Sequence, residues 1–84
     1  MTTRDVTIEI KQGIDASPVA KCVQVASQFE SKIYVEYETK RVNAKSIMGM
    51  MALGIVPGQT VKVSAEGEDE IQAIDSIEKY LGNK

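Results

Sequence analysis

Residues 61–82 read VKVSAEGEDEIQAIDSIEKYLG, and the spacing of their apolar residues changes halfway along the stretch. The first half alternates apolar with polar residues, which is typical of a strand with one buried face, and Gly67 ends it. The inward residues of this strand would be Val61, Val63 and Ala65. In the second half Asp69 is a good N-cap, and Gln72 completes a capping-box arrangement for a helix that ends at Gly82. The buried face of this helix would contain Ile71, Ile74, Ile77 and Leu81.

The same two patterns recur nearer the N-terminus. Alternation predicts a first strand that ends at Gly13, with Val6, Ile8 and Ile10 on its buried face. Ser17 and Pro18 then predict a helix start, with Ser17 as N-cap and Pro18 in the first turn. The buried face of that helix would contain Val19, Cys22, Val23, Ala26 and Phe29. A hairpin follows, because Ile33, Val35 and Tyr37 alternate before a turn in residues 38–41 and a short strand around Val42.

A short helix is predicted from Ser46 to Leu53, and Gly54 closes it. Its apolar residues are Ile47, Met48, Met50, Met51 and Leu53, which is too many for one buried stripe. Some of them must face solvent or a partner. Pro57-Gly58 then predicts the turn that leads into the strand beginning near residue 61.

The predicted order is strand, helix, strand, strand, short helix, strand, helix. This order suits an α+β fold in which helices cover one face of a four-stranded antiparallel sheet. No linker, repeat or low-complexity segment interrupts the chain. We therefore expect a single domain over residues 1–84.

Composition excludes several classes of function. The 84 residues contain no histidine, which removes the commonest general base and the commonest metal ligand, and so small a domain leaves little room for a deep substrate cavity. We expect no enzyme, no cofactor and no metal site. A net charge of -2 argues against direct nucleic-acid binding. Lone Cys22 cannot form an internal disulfide, and without a signal pattern or membrane-length apolar run we expect a cytoplasmic protein that does not bind membranes.

Four features remain after the core is assigned. Asp15 either places favourable charge near a helix N-terminus or accepts a phosphoryl group. Ser46 is either a simple N-cap or a phosphorylation site where the added charge would meet a helix N-terminus. The methionines after Ser46 either fill a thin core or form an adaptable exposed apolar patch. Cys22, on the apolar face of its helix, is interpreted as a small hydrophobic residue without chemistry.

Residues 43–49, NAKSIMG, resemble the regulatory serine segment of HPr, the small phosphocarrier family of the sugar phosphotransferase system. Further similarity lies in the Gly13-Ile14 segment with Ala16 and Pro18, in Leu53-Gly54, in the segment 67–70 and in the terminal helix. The resemblance runs the whole length of the chain. It implies an open-faced β-sandwich with three helices on one side of the sheet.

The carrier motif of that family, Gly-x-His-Ala-Arg-Pro, is altered here. The matching segment 13–18 reads GIDASP, so Asp15 and Ser17 occupy the positions of the histidine and the arginine. In the family, the histidine takes phosphate from phosphoenolpyruvate through Enzyme I. An aspartate lacks the nucleophilic imidazole nitrogen and repels the incoming phosphoryl group. We therefore expect no efficient phosphoryl transfer through Asp15.

The serine segment is intact, and the loss of one site beside retention of the other resembles Crh, the HPr-like branch without the carrier histidine. The resemblance implies that HPr kinase/phosphorylase modifies Ser46 and that a LacI-type regulator resembling CcpA then binds, in carbon catabolite repression. Asp15 and Ser17 depart from Crh as well, and the resemblance implies that they lie within the docking surface of the family. The residues predicted to contact a partner are Asp15, Ser17, Ala20, Gln24, Ile47, Met48 and Met51.

Three alternatives remain open at this point. Asp15 accepts phosphate in a variant phosphocarrier, or its carboxylate imitates a phosphorylated carrier site. In the third, the chain is a decayed HPr paralogue that folds but does not signal.

Overall fold

The computed structural model describes residues 1–9, 18–54 and 57–82, and within these ranges four strands and three helices follow one another. Their bounds in chain order are β1 Thr2–Thr7, α1 Pro18–Ser27, β2 Lys32–Tyr37, β3 Lys40–Asn43, α2 Ile47–Leu53, β4 Thr60–Glu66 and α3 Glu70–Leu81. This is the order predicted from the hydrophobic spacing, and it confirms the α+β class. The predicted helix start at Pro18 is also confirmed, whereas Ser17, its predicted N-cap, lies outside the described residues.

The four strands form one antiparallel sheet in the order β1-β4-β2-β3. In β4, Val61 lies opposite Val6 of β1, and Val63 lies opposite Val35 of β2. Because side chains alternate between the two faces of a strand, this register places the apolar residues of neighbouring strands on the same face. Helix α3 packs on β1 and β4, α2 packs on β2 and β3, and α1 contacts both other helices.

The core lies between that sheet face and the helices. Cys22 and Ala26 of α1 are fully buried there, and Phe29 packs against the core from just beyond the helix end. The sheet contributes Val6, Ile33, Val35, Val61, Val63 and Ala65. The predicted inward residues of α1, β2 and β4 are thus confirmed, because their spacing matches the periods of 3.6 and 2 residues.

The opposite face of the sheet is polar and alternates in charge. Asp5, Lys62, Glu36 and Arg41 lie side by side in one row that crosses all four strands. Opposite charges on directly paired residues stabilise a sheet weakly, and like charges at these positions would oppose pairing. The Arg41 guanidinium also lies 4.3 Å from the ring centroid of Tyr34 on the same face. This composition explains why the face needs no covering layer.

The first strand begins and ends earlier than predicted. Alternation of Val6, Ile8 and Ile10 favoured a strand that ends at Gly13, but β1 spans Thr2–Thr7. Ile8 is buried as expected, although it follows the strand and its N–H donates to the carbonyl of Gln59 (2.8 Å). Ile10 and Gly13, which belonged to the same prediction, lie outside the described residues.

The N-terminal half of β1 was missed because its inward residues, Thr2 and Arg4, are polar. Both residues bind to α3. The Thr2 hydroxyl donates a hydrogen bond to Glu70. Arg4 Nη1 donates to Asp75 Oδ1 (2.6 Å) and to Glu78 Oε1 (3.0 Å). Polar side chains with such partners can line the edge of a core. A search for apolar alternation does not register them.

The capping box predicted at α3 is wrong. Asp69 occupies the N-cap position, but its side chain makes no capping hydrogen bond. The carboxylate instead accepts bonds from the backbone N–H groups of Glu30 (2.9 Å) and Ser31 (3.0 Å) and from the Ser31 hydroxyl. A carboxylate accepts several donors at once, and the tight turn between α1 and β2 offers three of them. Asp69 therefore ties that turn to the start of α3.

Ile71 was also assigned wrongly to the buried face of α3. Its side chain is 53% exposed, and Ala73 is buried instead, together with Ile74, Ile77 and Leu81. At 3.6 residues per turn, Ile71 falls at the edge of the stripe formed by the other three apolar residues. The helix end at Gly82 is confirmed, since the Gly82 N–H donates to the carbonyl of Glu78 (2.7 Å).

The Asp69 contacts predict how stability depends on pH. The hydrogen bond from the Ser31 hydroxyl, followed by that from the Glu30 N–H, lowers the pKa of Asp69 below its ordinary value of 3.8. A carboxyl whose pKa is lower in the folded state contributes stability above its unfolded pKa and loses it as the pH falls through the folded value. We expect the urea midpoint of the parent chain to fall as the pH is lowered from neutrality to about pH 3, and to fall less in Asp69→Asn.

Glu70→Gln is the matched control for that titration, because the Thr2 hydroxyl lowers the pKa of Glu70 as well. The Glu70 variant should keep the part of the acid dependence that belongs to Asp69, whereas Asp69→Asn should keep the part that belongs to Glu70. Equal slopes for the parent and Asp69→Asn would contradict the role given to the Ser31 turn.

Candidate functional site

Ser46 stands at the N-cap of α2, as predicted. Its backbone is extended (φ -104°, ψ 117°), and Ser46 Oγ accepts a hydrogen bond from the N–H of Gly49 at 3.1 Å. The Ser46 carbonyl accepts the first helical hydrogen bond, from the N–H of Met50 (3.0 Å). The Ser46 N–H donates to the backbone carbonyl of Asn43 (3.0 Å). The residue is half-buried. The backbone is therefore fixed on both sides of a serine that is half-exposed to solvent.

The three residues before Ser46 hold this geometry. The side-chain oxygen of Asn43 accepts from the N–H of Lys45 (2.8 Å), which closes a local turn. Ala44 is fully buried, and its N–H donates to the carbonyl of Ile33 in β2 (2.9 Å). Lys45 Nζ donates to the carbonyl of Phe29 (2.7 Å), just beyond the end of α1. The serine segment is thus tied to β2 and to the region that follows α1.

Gly49 is a site residue for which residue type and spacing predicted no role of its own. A Cβ atom built on Gly49 would lie 3.2 Å from Val42 Cβ and 3.4 Å from Ser46 Oγ. The first distance is tighter than ordinary van der Waals contact, so with a side chain here Val42 and the first turn of α2 would have to separate by a few tenths of an ångström. Glycine allows the first turn of α2 to approach Val42 while its N–H reaches the hydroxyl. Its presence within NAKSIMG was the available signal.

Three large apolar side chains of α2 face away from the core. Ile47 is 51% exposed, Met48 83% and Met51 66%. Met50 and Leu53 are buried instead. This confirms that the apolar residues of the short helix are too many for one buried stripe. Ile47, Met48 and Met51 are called the α2 patch below.

The remaining predicted partner contacts are only partly placed. Ala20 and Gln24 are exposed and lie four residues apart in α1, which brings them to one side of that helix. Helix α1 contacts α2, so both belong to the helix layer that carries Ser46 and the α2 patch. Asp15 and Ser17 lie outside the described residues.

Cys22 lies in the core, where burial raises the pKa of its thiol to about 12 from an ordinary 9.0. Because the thiolate is the reactive form, a shift of this size lowers the fraction of the side chain present as thiolate roughly a thousandfold at neutral pH. We expect the native chain to resist an aromatic disulfide reagent and to react quickly in urea, as followed by absorbance. Equally fast reaction in both conditions would contradict the buried position.

Residues 1–9, 18–54 and 57–82 contain neither a metal-binding cluster nor a helix that could span a membrane. No group of three or more Cys, Asp or Glu side chains in these ranges is arranged to hold a metal ion. None of the helices there combines the length and apolar composition needed to span a bilayer. Ser46 and the α2 patch beside it are the candidate functional features within the described residues.

Comparison with known proteins places this arrangement in a family. The chain matches the PTS-HPr family, described as "PTS HPr component phosphorylation site", over residues 2–83. It is 41% identical over 81 residues to the HPr-like protein Crh of Halalkalibacterium halodurans, covering 96% of each chain. It is 43% identical over 84 residues to the phosphocarrier protein HPr of Treponema pallidum, covering all of this chain and 96% of that one.

A solved structure agrees with these sequences. The crystal structure of HPr-C-His from Thermoanaerobacter tengcongensis superposes with a TM-score of 0.84 at 48% identity, covering 100% of this chain and 99% of that one. The resemblance found in the serine segment is therefore confirmed along the whole chain. HPr and Crh are phosphocarrier or regulatory proteins and not enzymes. The chain belongs to the HPr family.

Proposed function

We propose that this chain is a regulatory member of the HPr family that is switched by phosphorylation of Ser46 and does not carry phosphate on a histidine. The observation that carries the proposal is the half-buried Ser46 at the start of a helix that carries an exposed apolar patch. The absence of histidine from all 84 residues removes the usual acceptor of the family. The similarity to Crh at 41% identity supports the same assignment.

The expected kinase is HPr kinase/phosphorylase with ATP as donor. In this reaction Ser46 Oγ forms a bond to the γ-phosphorus, the bond from that phosphorus to the bridging oxygen of ADP breaks, and the hydroxyl proton passes to a base of the kinase. The added phosphate group carries about -1.5 to -2 charge at neutral pH. Because the Ser46 backbone is already fixed by Asn43 and Met50, the phosphate would be presented at a defined place.

The expected reader is a LacI-type regulator resembling CcpA, in carbon catabolite repression. Phosphate oxygens offer strong acceptors to Arg or Lys side chains of a partner, whereas Met48 and Met51 offer adaptable apolar contact. The two kinds of contact lie within one short helix and its cap. A partner that needs both would discriminate between phosphorylated and unmodified chain without any change of fold.

The first test is intact mass with site mapping after incubation with HPr kinase/phosphorylase and ATP. We expect one phosphate on the parent chain, confined to Ser46, and none on Ser46→Ala. Ser27→Ala is the matched control, because Ser27 is an exposed serine at the end of α1 and its loss should leave the modification unchanged. An unmodified parent chain would overturn the proposal that Ser46 phosphorylation is the switch.

A second candidate follows from the 43% identity to the phosphocarrier HPr of Treponema pallidum. In that case Asp15 would accept phosphate from Enzyme I and phosphoenolpyruvate as an acyl phosphate. Labelling would then be alkali-labile and absent from Asp15→Asn. We expect no labelling, because the carboxylate charge repels the phosphoryl group and no imidazole is present.

A further inference from the structure

We propose that Met48 and Met51 form a site of reversible oxidation, at which a peroxide converts two of the three side chains of the α2 patch from apolar to polar. The proposal assigns a second input to the surface that the proposed function uses for docking, and in that sense it rests on that function. The oxidation itself and the loss of apolar surface are properties of this chain alone and are tested without any partner.

The evidence is the contrast among three methionines in one short helix. Met48 is 83% exposed and Met51 66%, whereas Met50, between them in sequence, is 0% exposed. Met48 and Met51 are three residues apart and therefore neighbours on the helix surface. A soluble oxidant reaches both of their sulfur atoms, but it reaches Met50 only when the helix opens.

The chemistry is a two-electron transfer from sulfur to peroxide. The thioether sulfur forms a bond to one oxygen of hydrogen peroxide as the O–O bond breaks. The other oxygen leaves as water with both hydrogens. The sulfur is oxidised to the sulfoxide, and the peroxide is reduced. Methionine sulfoxide reductases reverse the product, so the site meets the chemical condition for a switch.

The structural consequence is confined to the patch. A sulfoxide is polar and chiral, so it needs hydration where the thioether offered apolar contact. Neither Met48 nor Met51 belongs to the core, so the fold does not depend on their thioethers. The hydrogen bond from Gly49 to Ser46 Oγ involves neither side chain. Oxidation should therefore remove docking surface and leave the serine segment in place.

The experiment is limited oxidation of the folded chain with hydrogen peroxide, followed by digestion and fragment-ion mapping. We expect sulfoxide to form at Met48 and Met51 at least about tenfold faster than at Met50. In urea all three rates should become similar, which shows that burial causes the difference. Met1 is also exposed, and it falls on a different tryptic peptide. Equal rates at Met48 and Met50 in the folded chain would overturn the proposal.

Hydrophobic-interaction chromatography tests the loss of apolar surface. The oxidised parent chain should elute earlier than the untreated chain, whereas a Met48→Leu, Met51→Leu double variant should shift only by the amount due to Met1. An equal shift for the parent and the double variant would contradict the conversion of the patch. Neither readout uses the kinase. Failure of Ser46 phosphorylation would therefore overturn the proposed function, and the oxidation site would still be tested by these two measurements.

Discussion

Gly67→Ala is expected to lower the free energy of unfolding by about 3 kcal/mol or more. Gly67 has a φ of +153°, which side chains of L-residues rarely adopt. A Cβ atom there would also lie 2.6 Å from Ser31 Oγ and 2.8 Å from Ser31 Cα. The second atom is backbone, so rotation of a side chain cannot relieve the contact. The Ser31 turn would have to move, and with it the bonds that Asp69 accepts from Glu30 and Ser31.

Gly58→Ala is the matched control for this substitution. Gly58 also has a positive φ, +95°, but no atom lies within 4 Å of the position that a Cβ would take. Its cost should be only that of the backbone conformation, about 1–2 kcal/mol. Urea unfolding of both variants by circular dichroism separates the two terms. Equal losses of stability would show that the close approach to Ser31 contributes nothing.

These two glycines illustrate how far the sequence alone determines the fold. Gly67 and Gly58 were both predicted as ends or turns, and both predictions are confirmed, because glycine and proline mark turns locally. That Gly67 lies against Ser31 was not predictable, since the two residues meet only after the sheet has formed. The wrong capping box has the same origin. Local pattern favoured a cap, and tertiary contact supplied better donors to Asp69.

The candidate site shows the same division. Ser46 was predicted as an N-cap from residue type and spacing, and its bond from Gly49 confirms this. The number of apolar residues in the short helix was enough to predict that some of them are exposed. Which methionine is buried was not predictable, because this depends on which side of α2 faces β3. That side is set by the close packing of Gly49 against Val42, which forms only in the folded chain. A helix of seven residues is too short for its apolar spacing to show which face is buried.

The Met48→Ala, Met51→Ala double variant is expected to lose partner binding and keep its stability. Both side chains are mostly in solvent, so their removal should change the free energy of unfolding by no more than about 0.5 kcal/mol each. If they anchor the regulator, their loss should cost about 2 kcal/mol of binding, a rise in Kd of about thirtyfold. Calorimetric titration of Ser46-phosphorylated chains with a LacI-type regulator resembling CcpA measures this.

Met50→Ala is the matched control within the same helix. Its side chain is fully buried, so truncation should lower the free energy of unfolding by about 2–5 kcal/mol. Where Met50→Ala remains folded it should retain binding, because the side chain does not reach the surface. The two variants thus separate a core face from a docking face of α2. Unchanged affinity in the double variant would show that the regulator binds the phosphate without contacting Met48 and Met51. The docking role of these two residues would then be wrong even if Ser46 is the switch.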